Sequence, residues 1–311
     1  MIEPHLRARE RTTEDPPSEY PPLPESLVVP IYDNHTHMEF ADGDAPIDYR
    51  EQLDRASSVG VRGVVQVGTD LETSRWSAEV AAVEPRVLAA VALHPNDAPE
   101  LHERGVLDEH LHGIWELSGR PRVRAFGETG LDFYRTGDEG RDAQVRAFEA
   151  HIRMAKDRGL ALQIHDRDAH REVLETLRGV GAPERTVFHC FSGDREFAEE
   201  VAAEGWYLSF AGTVTFKNAG TLRDALSAIP RSHILIETDA PFLTPTPWRG
   251  RPNASYLLPH TLRFMADHLG TDPSMLAAQI SSNTEEVYGG WDDEPIAPPT
   301  GPFDLPPQAT G

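Results

Sequence analysis

Short apolar runs rich in β-branched residues alternate with amphipathic stretches through most of the chain. The apolar runs predict eight strands, at Leu27–Asn34, Gly63–Gly68, Val87–Leu93, Val123–Glu128, Ala161–His165, Thr186–Cys190, Trp206–Phe210 and Ile234–Thr238. The period of the intervening stretches predicts helices at Tyr49–Val59, Thr73–Val83, Leu107–Leu117, Arg141–Lys156, Ala169–Leu177, Arg195–Ala203 and Thr221–Ile229, followed by Leu258–His268 and Pro273–Val287. Strands that alternate with helices are typical of βαβ units and of a parallel sheet.

The number of these units favours a closed α/β barrel. Eight strand–helix units match a (β/α)8 TIM barrel. Runs such as Gly63–Gly68 and Ile234–Thr238 are largely apolar on both faces, as parallel strands covered on both sides require. An open doubly wound sheet is the alternative, but no G-x-G-x-x-G motif follows the first strand. We therefore predict a single-domain TIM barrel.

Both ends of the chain are rich in proline and poor in large apolar residues. Residues 1–30 and 291–311 hold 13 of the 26 prolines. Segments of this kind bury too little apolar surface to offset the entropy of ordering them. The expected organisation is a disordered tail over 1–27, the barrel over 28–290 and a second disordered tail over 291–311.

Composition narrows the class of protein further. The chain of 311 residues contains one cysteine, Cys190, which excludes a disulfide framework and any multi-cysteine metal site. The sequence has no apolar run of about 18 residues and no signal peptide, so we expect no membrane segment and a cytoplasmic location. The net charge is −22, of which the two ends account for −7. A polyanionic substrate would therefore need a local positive centre.

Six side chains with metal-binding chemistry fall at the predicted carboxyl ends of strands, where a barrel carries its active site. They are His35, His37, Glu128, His165, His189 and Asp239. Each motif is weak by itself, but four imidazoles and two carboxylates exceed what one zinc ion needs. The set predicts two divalent ions (Mg, Mn or Zn), with Glu128 as the bridge between them.

The same ends supply candidate catalytic and substrate-binding groups. A two-metal site lowers the pKa of a bound water, and Asp239 is predicted to orient that water and take its proton. His94 ends the third strand, where it faces a substrate. Arg167 shares a strand face with His165, so it is a candidate for binding a phosphate oxygen, the alternative being a salt bridge at the rim.

The motifs together resemble those of the TatD family of metal-dependent deoxyribonucleases, within the amidohydrolase superfamily. The matching motifs are Asp33-x-His35-x-His37, Gly127-Glu128-x-Gly130-Leu131-Asp132, Ile164-His165-x-Arg167, His189-Cys190-Phe191-Ser192-Gly193, Glu237-Thr238-Asp239-x-Pro241, Arg249-Gly250-x-x-Asn253 and Asn283-Thr284-x-x-x-Tyr288. The resemblance covers roughly residues 28–290.

The resemblance implies a barrel that hydrolyses DNA phosphodiesters, often from a 3′ end. It implies that one ion is held by His35, His37, Glu128 and Asp239. It implies that the other is held by Glu128, His165 and His189. Asp239, Glu128 and Arg167 are then the catalytic residues.

The resemblance also places Arg249 and Asn253, together with His94 and Arg167, on the substrate side. Ala254 and Ser255 stand where the family usually continues with Glu and Pro, which leaves substrate preference open. The expected partner is DNA, single-stranded or at 3′ ends, and the expected assembly is a monomer or a weak oligomer.

Two other functions remain alternatives. One is a small-molecule amidohydrolase or esterase, or an aminoacyl-ester hydrolase, that uses the same binuclear site. Relatives of that kind often bridge their metals with a carboxylated lysine, whereas the fourth predicted strand offers Glu128 and no lysine. The other is a non-catalytic binding protein, which is disfavoured because every predicted ligand position is retained.

Overall fold

The computed structural model describes residues 2–10, 18–292, 303 and 305. Within these residues the strands are β1 (Arg7–Ala8), β2 (Ile31–Thr36), β3 (Phe40–Ala41), β4 (Val61–Val67), β5 (Val87–Val91), β6 (Val123–Asp132), β7 (Ala161–Arg167), β8 (Thr186–Phe188), β9 (Tyr207–Phe210) and β10 (Ile234–Ile236). The α-helices are α1 (Tyr49–Ser58), α2 (Leu71–Val83), α3 (Ala98–Glu103), α4 (Leu107–Leu117), α5 (Asp138–Arg158), α6 (His170–Val180), α7 (Arg195–Ala203), α8 (Gly220–Ala228), α9 (Leu258–His268) and α10 (Pro273–Tyr288).

Eight parallel strands form a nearly closed barrel. They lie side by side in the order β2, β4, β5, β6, β7, β8, β9, β10, and every neighbouring pair is parallel. Asp239 and Ala240, which follow β10, contact the last residues of β2: the N–H of Asp239 donates to the carbonyl of His35 at 3.0 Å, and Ala240 forms a β-bridge with Thr36. These contacts join the first and last strands at their carboxyl ends. The predicted TIM barrel is confirmed, and the open-sheet alternative is excluded.

Two apolar layers hold the barrel together. One cluster takes side chains from all eight barrel strands, among them Val65, Leu88 and Leu235, and therefore fills the interior. A larger cluster lies between the sheet and the helices. Because both faces of each strand are covered, the strands are apolar on both sides, as the sequence pattern predicts.

The structure adds elements that periodicity did not predict. Strand β6 continues to Asp132, beyond the predicted end at Glu128, because Thr129–Asp132 pair with Ile164–Arg167 of β7. The short elements β1, β3 and α3 span two, two and six residues. Segments this short have too few positions for a hydrophobic period to show.

The N-terminal stretch differs from the expected disordered tail. Within residues 2–10, β1 pairs in parallel with β3, and the carbonyl of Glu3 accepts a hydrogen bond from Trp76 at 2.8 Å. Nearer the barrel, the carbonyl of Pro21 accepts from the hydroxyl of Tyr256 at 2.5 Å. Composition underestimated this stretch because main-chain hydrogen bonds and a few apolar side chains, such as Leu6, attach it to the barrel.

The C-terminal stretch also begins inside the packed structure. Trp291, predicted to open a disordered tail, is 7% exposed and stacks on Tyr32 with ring centroids 3.9 Å apart. Phe303 packs on Trp115 at a centroid distance of 5.0 Å. The remainder of the predicted tail, residues 293–302, 304 and 306–311, lies outside the described residues.

The helices of the described chain surround the barrel, and none of them has the length and apolar character that crossing a membrane requires.

Candidate metal centre

A cavity lined by described residues opens at the carboxyl ends of the barrel strands. It has a volume of about 700 Å³. Six of the side chains that line it are His37, His94, Glu128, His165, His189 and Asp239. His35 lies beneath this surface and is fully buried. The structure thus brings all six predicted metal ligands together, although they come from five different strands.

Glu128 stands at the middle of this group. Its Oε1 lies 3.4 Å from His37 Nε2, while its Oε2 lies 3.0 Å from His189 Nε2 and 3.1 Å from His165 Nδ1. One carboxylate therefore faces two sets of imidazoles, one with each oxygen.

The local backbone explains how Glu128 reaches this position. The pairing of β6 with β7 is interrupted between Phe126 and Thr129, and Glu128 lies in that interruption. Irregularities of this kind re-aim a side chain near an active site. Close strand approach requires the flanking glycines: a Cβ on Gly127 would lie 2.4 Å from Gln163 Cβ, and one on Gly130 would lie 2.1 Å from the His165 carbonyl oxygen.

The first set of ligand atoms comes from the ends of β2 and β10. The Nε2 atoms of His35 and His37 are 3.2 Å apart, and Asp239 Oδ1 lies 3.8 and 3.5 Å from them, respectively. Asp239 adopts a φ of +52°, a left-handed conformation that aspartate tolerates better than most residues.

In His37 and His189, hydrogen bonds to Nδ1 determine that Nε2 is the ring nitrogen that faces the centre. His37 Nδ1 lies 3.0 Å from the carbonyl oxygen of Val67, and His189 Nδ1 lies 3.1 Å from Glu237 Oε1. Both partners accept, so each Nδ1 donates and each Nε2 faces the centre. Outer carboxylates and carbonyls hold metal-binding histidines in this way.

This donor set fits divalent cations. Lone pairs that face one another at about 3 Å repel each other unless a proton or a cation lies between them. Ligands about 2.0–2.1 Å from a cation are themselves about 3.0–3.4 Å apart, which matches most of the separations here. Three groups of described residues bring ligand atoms close enough to hold an ion: His35, His37 and Glu128; His35, His189 and Asp239; and His94, Glu128 and His165.

Asp132 contacts the centre, a role that the sequence did not single out. Its Oδ2 lies 3.3 Å from His165 Nε2, and its Oδ1 accepts from the backbone N–H groups of Tyr134 and Arg135. Burial raises the pKa of Asp132, but the hydrogen bonds from His165 and from the Arg135 N–H outweigh burial, so the net pKa is lowered. The ionised Asp132 orients His165 so that Nδ1 faces Glu128. Only its position four residues after Glu128 in the motif hinted at this role.

His94 meets the same cluster from the end of β5. Its Nε2 lies 3.3 Å from His165 Nδ1 and 3.7 Å from Glu128 Oε2. Its Nδ1 accepts from the N–H of Asn96 at 3.1 Å, so the proton of the neutral ring is on Nε2. Burial lowers the pKa of His94 to about 3, which keeps the ring neutral. An Nε2–H group suits a hydrogen bond to a substrate oxygen, which is the role predicted for His94.

The electrostatic state of Glu128 follows from its neighbours. Burial raises the pKa of its carboxyl, but the imidazole of His189 and the hydrogen bonds from His165 and His189 hold the net pKa well below its ordinary value. The carboxylate is therefore ionised inside a buried cluster, where a metal ion would compensate its charge.

A separate set of contacts fixes the loop that carries Asp239. Buried Asp33 accepts from the backbone N–H of Thr238 at 2.9 Å and from its hydroxyl at 2.5 Å, so it ties the end of β2 to this loop. Burial raises the pKa of Asp33 to about 7. The strongest contacts of Asp33 are to Thr238, and they position the neighbouring Asp239.

The predicted substrate-side residues divide into two groups. Arg167 lines the cavity mouth, with its guanidinium 3.9 Å from the ring centroid of Tyr134. Asn253 is 1% exposed, and its amide donates to the carbonyls of Thr238 and Phe242. An amide buried in this way has no surface for a substrate, so the predicted contact is wrong and Asn253 stabilises the loop that carries Asp239.

Arg249 also lies away from the cavity formed by the described residues. Its guanidinium packs over Phe216 at 4.0 Å from the ring centroid. Arg7 and Arg135 line the cavity instead, although neither was predicted to do so. Arg135 follows the extended part of β6, and Arg7 belongs to the N-terminal stretch, so neither stands at a predicted strand end.

Comparison with known proteins agrees with this geometry. The model of the TatD related DNase family matches residues 32–289. An uncharacterized metal-dependent hydrolase named TatD from Mycobacterium tuberculosis is 41% identical over 84% of this chain and 99% of its own length. A 3′-5′ ssDNA/RNA exonuclease TatD from Citrobacter rodentium is 35% identical over 78% of this chain and 92% of its own length.

A solved structure of a TatD homologue has the same fold as this chain. The crystal structure of a TatD homologue from Escherichia coli K12 superposes with a TM-score of 0.73 at 26% identity, over 84% of this chain and 98% of that one. The family match, the metal-dependent relatives and the histidine–carboxylate clusters are consistent with one another. The chain therefore belongs to the TatD family and is a metal-dependent hydrolase.

Proposed function

We propose that this protein is a two-metal phosphodiesterase that removes nucleotides from the 3′ ends of single-stranded DNA. The observation that carries the proposal is Glu128, whose two oxygens face two different sets of imidazoles at the floor of the cavity. Relatives named 3′-5′ ssDNA/RNA exonuclease, at 35% and 34% identity, support the choice of substrate and polarity.

In this proposal Glu128 would be shared by two ions. His35, His37 and Asp239 would hold the first ion with it, and His165 and His189 would hold the second. Divalent cations in such a pair neutralise phosphate oxygens and lower the pKa of a water molecule towards about 7.

The protein's own residues then orient and bind the reacting groups. Asp239, which borders the cavity, holds the attacking water and takes its proton as the water oxygen bonds to phosphorus. The bond from phosphorus to the 3′ oxygen of the shortened strand breaks, and that oxygen takes a proton. His94 donates from Nε2 to a phosphate oxygen, and Arg167 at the mouth offers two parallel N–H groups to a phosphate.

The cavity favours a strand end over a duplex. Its volume of about 700 Å³ is that of a pocket for a drug-sized ligand, so it holds a terminal nucleotide rather than a length of double helix. The chain has 29 Lys and Arg against 51 Asp and Glu, and this negative balance does not favour binding along the backbone of a duplex.

The test is hydrolysis by wild-type protein that is first chelated and then reconstituted with Mg²⁺, Mn²⁺ or Zn²⁺. A 5′-labelled single-stranded oligonucleotide is incubated beside a panel of small esters and amides, with Asp239→Asn as the blank. We expect a ladder that shortens from the 3′ end, dependent on metal and absent from the blank.

Turnover of esters or amides with intact DNA would contradict the proposal and favour the small-molecule hydrolase. The bridging position already argues against lysine-bridged relatives. Lys156 donates to the carbonyl of Val180 at 3.0 Å, and neither lysine of the chain lines the cavity of the described residues.

A further inference from the structure

A strap formed by residues 2–10 reaches the mouth of the cavity. These residues lie outside the 32–289 range matched by the family model. The backbone N–H groups of Leu6 and Arg9 donate to the carbonyls of Glu39 and Ala41, both at 2.9 Å. The strap is therefore attached by main-chain hydrogen bonds to the segment that follows the first barrel strand.

The strap supports one wall of the cavity. Arg7 pairs with Phe40 across the β1–β3 register, and Phe40 lines the cavity. Arg9 donates to Asp42 and to the carbonyl of Pro241, and its guanidinium lies 5.2 Å from the ring centroid of Phe242, another lining residue. These contacts link the strap to the segments that follow β2 and β10, the first and last strands of the barrel.

Arg7 itself enters the cavity lining. Its guanidinium hydrogen-bonds to Asp70 and lies 3.4 Å from the hydroxyl of Thr69. The side chain remains 33% exposed. A guanidinium has five N–H donors, so these two partners among the described residues leave capacity for an anion.

The position of Arg7 complements that of the other cavity arginines. Arg135 follows β6 and Arg167 ends β7, whereas Arg7 lies beside Thr69 and Asp70, which follow β4. The arginines thus approach the mouth from different sides of the barrel.

The carboxylates that line the cavity outnumber its arginines, so a substrate phosphate away from the metal ions would meet an excess of negative charge. Among the described residues, five carboxylates line the cavity, namely Asp97, Glu128, Asp132, Asp166 and Asp239, against the three arginines. Metal ions at the floor would compensate only the nearest of these charges. A phosphate farther along a bound strand therefore needs its own cation at the rim.

We propose that Arg7 binds a substrate phosphate at least one nucleotide away from the scissile bond, which makes the strap a specificity element for substrates with several phosphates. This inference rests on the proposed nuclease function. It predicts that Arg7 contributes to binding of oligonucleotides and has far less effect on a substrate whose only phosphate is the scissile one.

The experiment compares Arg7→Gln with wild type on a single-stranded ten-mer and on a dinucleoside monophosphate. We expect the KM for the ten-mer to rise about tenfold, with a much smaller change in kcat. The dependence of log KM on log salt concentration is expected to become shallower by about 0.7, the value for one lost phosphate contact on a single strand. Arg7→Lys, which keeps the charge, is expected to restore most of that slope.

Two further variants separate phosphate binding from mere attachment of the strap. Arg62→Gln is the matched control, because Arg62 is also ion-paired, to Glu285 at 2.7 Å, but lies at the amino end of β4. Asp70→Asn removes the partner of Arg7 while retaining a good residue to cap α2. If Arg7 binds phosphate, Asp70→Asn leaves the KM for the ten-mer equal to that of wild type or lower.

The outcomes are distinct. The role of Arg7 would be overturned if Arg7→Gln left the KM and the salt slope for the ten-mer unchanged, or if it raised the KM equally for both substrates. It would also be overturned if Asp70→Asn raised the KM for the ten-mer as much as Arg7→Gln does. Each of these results would leave the proposed nuclease function intact. Failure of the wild type to cut either nucleic acid would instead overturn the proposed function.

Discussion

At the residue scale, Glu128 shows how one side chain acquires a role from its neighbours. Its carboxyl is buried, which by itself would favour the neutral form. The imidazoles on both sides reverse that preference and keep its pKa low. A buried carboxylate between two sets of imidazole nitrogens is the feature that attracts cations to this site rather than to the many exposed acids.

Replacement of that anion should abolish activity without unfolding the barrel. Glu128→Gln keeps the shape of the side chain but removes its charge and presents an amide NH2 to the imidazoles. We expect hydrolysis to fall by about 10³-fold or more and bound metal to decrease, as measured by kinetics and by elemental analysis. Glu100→Gln, at an exposed residue paired with Arg104, is the control. Near-normal activity in Glu128→Gln would refute the bridging role.

A second residue-scale prediction concerns Asp97, which lines the cavity. Burial and the neighbouring charge of Asp70 raise its pKa from 3.8 to about 6. Between these pH values the folded state binds the proton more tightly than the unfolded state, so stability falls as pH rises. Asp97→Asn removes that cost. We expect its gain in the free energy of unfolding to be about 1–2 kcal/mol larger at pH 7.5 than at pH 4.5.

Urea denaturation at the two pH values measures this difference. Asp54→Asn, an exposed aspartate paired with Arg86, provides the comparison. The same gain at both pH values would show that the pKa of Asp97 is not raised.

At the element scale, the ends of the strands and the segments beyond them decide what the barrel does. The carboxyl ends supply the ligands. The amino ends are closed by Trp291, which stacks on Tyr32 and donates from Nε1 to the carbonyl of Arg86 at 3.0 Å. Both flanking segments were expected to be disordered tails. In the structure, Trp291 of the C-terminal segment covers the amino ends of the strands, and residues 2–10 of the N-terminal segment pack against residues that line the cavity.

A pair of substitutions tests the packing of Trp291 against the strands. Trp291→Ala is expected to lower the free energy of unfolding by about 3 kcal/mol, because it removes a large buried ring. Gly63→Ala is expected to destabilise as well, since a Cβ there would lie 2.6 Å from Trp291 Nε1. In the Trp291→Ala background, Gly63→Ala should cost far less, because the ring that it meets is gone. Additive losses in denaturation measurements would show that the two residues do not contact each other.

At the scale of the whole molecule, the negative charge of the protein disfavours binding of a polyanion, and bound metal ions would offset that charge. The chain carries a net charge of −22, and the cavity at the carboxyl ends of the strands is lined by more carboxylates than arginines. Such a field repels a polyanion until cations fill the floor of the cavity. Metal should therefore stabilise the fold and permit substrate binding together.

Thermal denaturation tests this coupling. A ligand at about 100 times its Kd stabilises the folded state by about 2.7 kcal/mol, so we expect Mn²⁺ to raise the Tm of chelated wild type. The Glu128→Gln variant should show a much smaller rise, and Glu100→Gln the full one. An equal rise in all three proteins would place the bound metal elsewhere.

The sequence by itself determined the barrel and the cluster of six candidate ligands. Periodicity identified every barrel strand, because each is a buried apolar run, and the ligands could be found because barrel topology brings all carboxyl strand ends to one face. Asp239 and His35 are 204 positions apart, yet both follow from that single rule.

The tertiary structure alone decided which other residues join the site. Arg7, Asp132 and Arg135 line the cavity, whereas Asn253 lies outside it and donates to backbone carbonyls. These positions depend on contacts between distant residues, which the hydrophobic period along the chain does not predict. Two-residue strands and single hydrogen bonds to distant carbonyls carry no hydrophobic pattern, so composition suggested disorder where the strap is attached. Periodic burial of apolar surface can be read along the chain, whereas a contact between one side chain and a distant backbone group exists only once the chain has folded.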